Sequence, residues 1–206
     1  MKTNSTNPNE DLQAIREIME RSSKFLSLSG LAGIFAGLCA LLGAAIAWFF
    51  ILDSGKIQYN EYMQNSGIAF YLALDAMLVL VFALLGAVYF SQRKARKASQ
   101  KLWTNSTQRL LVHLLIPLVS GGVFILILVF RNNLELVVPV MLIFYGLSLV
   151  NAGKFTFGEI QSLGLTEIVL GILAGFFINY GLLFWTIGFG LMHIIYGTVM
   201  YYRHER

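Results

Sequence analysis

Six apolar blocks constrain this chain more than any other feature of its sequence. They run at about 26–52, 67–90, 110–130, 134–151, 162–178 and 182–202, each bounded by polar or turn residues. Crossing the ~30 Å hydrocarbon core of a bilayer takes roughly 20 residues of α-helix, so the blocks predict six transmembrane helices. Open strands are excluded because hydrocarbon leaves their amides unpaired, and the blocks lack the in-out alternation of a barrel strand. Pro139 and the opening Ser162-Leu163-Gly164 weaken the fourth and fifth blocks. Reading both as re-entrant would leave the sixth block an awkward return path, so both are taken as spans. The expected fold is an all-α membrane protein, a six-transmembrane-helix bundle over 26–206 behind a cytoplasmic segment at 1–25.

Composition agrees with this class. Hydrophobic residues make up 57% of the 206 positions and charged residues only 13%, too few charges to cover a soluble domain. The net charge of +4 does not point to nucleic acid, because the basic residues cluster beside apolar blocks, where they set membrane orientation. Cys39 is the only cysteine, so no intramolecular disulfide forms, and its apolar setting fits a packing role. Ala45-Ile46-Ala47 has the small-x-small form of a signal-peptide cleavage site. The apolar run continues past it through Trp48 to Leu52, and the preceding segment is long and acidic, so a signal peptide is rejected.

Within 1–25, Leu12, Ile15, Ile18, Met19 and Phe25 fall mainly on one side of a helix over 9–25, with Arg16, Glu17, Glu20, Arg21 and Lys24 supplying charge. This predicts an amphipathic helix lying at the membrane surface or running into the first span. The stretch 91–109 carries Arg93, Lys94, Arg96, Lys97, Lys101 and Arg109, whereas 53–66 carries only Lys56 among basic residues. The basic stretch is therefore expected in the cytoplasm, which places both termini there. Arg93, Lys94, Arg96 and Lys97 are also dense enough to contact anionic lipid headgroups. The bilayer is the one partner the sequence requires; its small-residue faces also permit a homo-oligomer but more often pack neighbours within one chain.

Helices in lipid approach closely through small residues. In the first block Ala32, Ala36, Ala40 and Ala44 form one such ridge and Ser29, Gly33 and Gly37 a second, while Gly171 and Gly175 make a GxxxG in the fifth. Gly30, Leu31, Ile34, Gly37 and Ala40 also recur in register as Gly164, Leu165, Ile168, Gly171 and Ala174, a hint of duplication.

Ionisable residues inside spans are costly, about 2.5–3.5 kcal/mol each on insertion scales, and mark where function concentrates. Asp75 and His193 lie on spans that start from the same side and at similar depth, so they form the first candidate intramembrane site, able to exchange a proton or hold a cation. His113, Glu167 and Asn151 form a second candidate layer nearer the cytoplasmic ends of their spans. There, a favourable helix terminus and interfacial water give each a structural explanation as well. No HExxH, GxSxG or GxxxxGK occurs and no histidine pair has metal-ligand spacing, so no catalytic, metal or cofactor residue is assigned. Ser120, before Gly121-Gly122, has no base at matching depth to activate it.

Glu20-Arg-Ser-Ser-Lys-Phe25 leading into Ser27-Leu-Ser-Gly-Leu-Ala-Gly33, together with Tyr180-Gly-Leu-Leu-Phe-Trp185 and His193-Ile-Ile-Tyr-Gly197, resembles a family of small uncharacterised multi-pass proteins from Bacteroidetes-type bacteria. The resemblance implies a bacterial inner-membrane location and, since that family has no assigned activity, carries over no functional residue. The expected function is a non-enzymatic one in regulation, sensing or assembly. The alternative is a small transporter or channel component using Asp75 and His193.

Overall fold

Without water, backbone amides must pair within their own segment, and each apolar block accordingly forms a helix in the computed structural model, which describes residues 27–52, 66–99 and 103–206. The helix expected over 9–25 lies outside the described residues. Helix α1 (Gly30–Ile46) continues into a π turn at Ala47–Ile51. Helices α2 (Ser66–Lys97) and α3 (Asn105–Phe130) follow, then α4 (Val137–Gly153) and α5 (Gly158–Phe176). Helix α6 starts at Gly181–Trp185, passes through a π-helical stretch at Thr186–Met192 and ends as His193–His204. All six are long and apolar enough to cross a membrane, and no strand occurs among the described residues.

Three helix ends differ from the apolar blocks, for local reasons. Helix α2 runs on through the basic residues to Lys97, because Arg, Lys and Ala favour helix and cations suit its negative end. Helix α3 starts early because Thr104 and Thr107 form a reciprocal capping box. Helix α5 starts at Gly158, after an extended Phe157, four residues before the expected start. Glu167 is thereby the tenth of its 19 residues, at mid-helix.

Contacts order the helices α2, α1, α6, α5, α4, α3, with α6 also touching α4; the α4–α5 pair is the most extensive. Glycines make the closest approaches. A Cβ added at Gly37 would fall 2.6 Å from the Gly190 carbonyl of α6, and one at Gly164 would fall 2.6 Å from the Gly146 carbonyl of α4. The first-block ridge packs as expected, with Ala32, Ala40 and Ala44 buried and Ala36 half-buried. Of the GxxxG pair only Gly171 is a contact point; Gly175 is exposed.

The repeated positions acquire a packing explanation. Gly30 meets Gly197 and Gly37 meets Gly190, while Gly164 meets Gly146 and Gly171 meets Pro139. Seven residues make two turns and return to the same face, so α1 and α5 use the same spacing to seat an antiparallel neighbour.

One end of the bundle carries both the start of α1 and the end of α6. Ser29 Oγ donates to Glu205 Oε2 at 3.0 Å and the Gly30 N–H donates to Glu205 Oε1, so a residue distant in sequence caps α1. Lys94 Nζ donates to Glu205 Oε1 at 3.3 Å and to the Leu28 carbonyl at 2.7 Å, and lies 4.9 Å from the centre of the Phe157 ring. These contacts draw the Lys94 amine toward the protein and leave its side chain only partly exposed. Arg93, Arg96 and Lys97 remain exposed.

Candidate functional site

Three interior helices bring one polar cluster together at mid-bundle. Glu167 of α5 is fully buried, and neither of its carboxyl oxygens has a hydrogen-bond partner among the described residues. Its ionisable neighbour is His193 of α6, whose Nδ1 lies 3.6 Å from Glu167 Oε1. That separation is too long for a hydrogen bond but close for two charges.

The imidazole has its own partners. Nδ1 is 3.0 Å from the Gly188 carbonyl, an acceptor only, so Nδ1 carries a proton and donates it. Nε2 is 2.7 Å from Tyr145 Oη of α4. In the neutral ring Nε2 has no proton, so the tyrosine hydroxyl donates to it. Tyr145 and Phe189 both stack beside the ring, with centroids 5.5 Å and 6.0 Å from it.

Gly188 makes room for the acid. A Cβ there would collide with Glu167 Oε2 and would approach Leu142 Cδ2 to 2.8 Å. Gly188 and Gly190 both lie in the π-helical stretch, a wider turn of the kind that recurs at functional sites.

The cluster regroups the sequence candidates. Asp75 does not pair with His193, and no hydrogen bond or ion pair joins it to another described residue; its carboxyl lies beside Gly43 of α1. His193 lies against Gly33, ten residues earlier on α1, which is about 15 Å along the axis. Helix α1 packs on both α2 and α6, so the two side chains approach it at different levels. In the second layer, Asn151 Nδ2 donates to the His113 carbonyl at 3.0 Å, and the His113 ring stacks on Phe155 at 4.6 Å. These two therefore tie α3 to α4, and Glu167 leaves them for His193. Ser120 Oγ donates to the carbonyl of Ile116, one turn back.

Tyr145 was not among the sequence candidates. Its signal was a hydroxyl in the middle of an apolar block, which needs a buried partner. Being uncharged, it does not stand out among the costly ionisable residues of the spans. Among the described residues no three His, Cys, Asp or Glu side chains gather as a metal site. No protein-family profile, curated protein or solved structure matches this chain, and the family resemblance gains nothing from those comparisons.

Proposed function

We propose that this chain is a small multi-pass membrane protein that takes up and releases a proton at Glu167, with His193 as the exchange partner, in the service of proton-linked transport. The observation that carries the reading is a fully buried carboxyl with no hydrogen-bond partner, 3.6 Å from an imidazole nitrogen that bears a proton. Such a group costs free energy wherever it is buried, and chains of Asp, Glu and His at bundle interiors mark proton paths in membranes.

The transfer balances with the groups present. A proton reaching Nε2 makes His193 an imidazolium, and Tyr145 turns its hydroxyl from donor to acceptor. The ring moves by about 0.8 Å to hydrogen-bond distance and gives its Nδ1 proton to the Glu167 carboxylate. The imidazole left behind is neutral, with its proton on Nε2. The reverse sequence empties the site. The wide π turn beneath the ring supplies slack for that movement.

In this reading the end carrying Arg93, Arg96, Lys97 and Arg203 faces the cytoplasm with both termini by its excess of basic residues, and the inner membrane is the compartment that the family resemblance implies. The exposed Arg93, Arg96 and Lys97 then face headgroups. Proteoliposomes containing a pH-sensitive dye test the reading under an imposed potassium diffusion potential. The wild type is expected to acidify or alkalinise the lumen according to the sign of the potential, and Glu167→Gln to lower that rate about tenfold or more. Equal rates in the two proteins, or no protein-dependent flux in the wild type, overturn it.

A further inference from the structure

Near the basic end, an open cleft of roughly 550 Å³ lies along the seam between helices α5 and α6. Its polar wall is Glu159, Gln161 and Ser162 of α5 with Tyr196 and Arg203 of α6, and space of this size holds several waters at about 30 Å³ each. On α5 the lining residue nearest Glu167 in sequence is Ser162, five residues or about 8 Å of axis away. On α6 the one nearest His193 is Tyr196, three residues away and therefore on the same face. The cleft thus lies on the outer side of the α5–α6 seam, with its inner residues about one turn from the buried pair.

The residues at that inner end are joined across the seam. Thr166 Oγ1 and Tyr196 Oη are 3.1 Å apart, and Thr166 Oγ1 also lies 3.0 Å from the Ser162 carbonyl. Because that carbonyl only accepts, the single threonine proton goes to it, and Tyr196 must donate to Thr166. The chain of donors ends on a backbone carbonyl, so it holds the tyrosine in place and conducts no proton. Behind it, Thr166 is the sequence neighbour of Glu167.

We propose that the α5–α6 cleft is the access route by which protons from the basic end reach Glu167 and His193, and that Tyr196, latched to Thr166, closes its inner end. This rests on the proton-exchange reading above and names the side and the residue that regulate it. At rest the ring separates cleft water from the site. Breaking the latch lets it swing into the cleft and admit water to the imidazole. At the mouth, Arg203 donates to Glu159 at 3.1 Å and His204 lies 3.3 Å from the same oxygen, so the charges there are paired with one another.

The test is a pH jump on the purified full chain in nanodiscs, followed by the infrared carbonyl band of Glu167, identified as the band lost in Glu167→Gln. Tyr196→Ala, which removes the ring, and Thr166→Val, which removes the latch at equal size, are each expected to speed the response about tenfold with unchanged amplitude. Unchanged or slower responses in variants that retain the band overturn the gate and leave the proton site standing. Absence of any pH-responsive Glu167 band in the wild type overturns the proton site, and the gate falls with it. Thr166→Val leaves the seam packed, so the result does not depend on how well Tyr196→Ala folds.

Discussion

Gly164→Leu is expected to destabilise the bundle by at least about 3 kcal/mol, beyond the usual range for overpacking, and to abolish a cooperative melt in mild detergent. The first added carbon alone would sit 2.6 Å from the Gly146 carbonyl oxygen, 2.7 Å from the Val150 nitrogen and 2.9 Å from Leu149 Cβ. Two of these three are backbone atoms of α4, so no rotamer change relieves them and the helices must separate. The α4–α5 pair is the most extensive in the molecule, and with no hydrophobic drive between helices in lipid, packing is what separation loses. Gly122→Leu is the control, since nothing lies within 4 Å of a Cβ there. It should stay within about 0.5 kcal/mol of the wild type. Melting of Gly164→Leu at the wild-type temperature, or an equal loss in Gly122→Leu, contradicts this seam.

The second large effect has the opposite sign. Glu167→Met is expected to raise stability by about 1–4 kcal/mol while eliminating proton exchange. Methionine fills nearly the same volume along the same unbranched path, so little packing changes. What is removed is a fully buried carboxyl that has given up its hydrogen bonds to water and gained none among the described residues. Replacing such a group by an apolar one of the same shape recovers its desolvation cost. A gain of stability with loss of exchange marks a residue retained at the expense of the fold. Chemical denaturation in mixed micelles measures the sign; a clear loss of stability would assign Glu167 to the core.

The same residue shows how far the sequence could be read. All six helices were legible because block length against bilayer thickness allows little else. The ridges on α1 and the contact at Gly171 were legible because small residues at helical spacing have few other uses. The site was legible only as a set of residue types. Gly158-Glu-Ile-Gln-Ser162 is too polar to read as part of a span, yet it is helical, and starting α5 at 162 put Glu167 near a helix end. Depth arithmetic then matched His193 with Asp75, since spans starting from one side share a depth scale. Depth does not say which helices touch. Gly33 and Gly37 of α1 seat α6, and Gly43 accepts Asp75 from α2, but a glycine names its face and not its neighbour. Gly188 was visible only as an unexplained small residue, because its purpose is set by the carboxyl that fills the space beside it.

Whether Glu167 exchanges its proton is the central claim, and the most direct measurement is a pH titration of the protein by difference infrared spectroscopy in a native-like bilayer. The account predicts a carboxylic carbonyl band that appears and disappears reversibly with pH in the wild type. That band should be absent from Glu167→Gln, and its frequency should shift when His193 is replaced by glutamine, because the imidazole is the acid's ionisable neighbour. A titrating band that persists in Glu167→Gln, or a wild-type spectrum in which no buried carboxyl responds to pH, would contradict it.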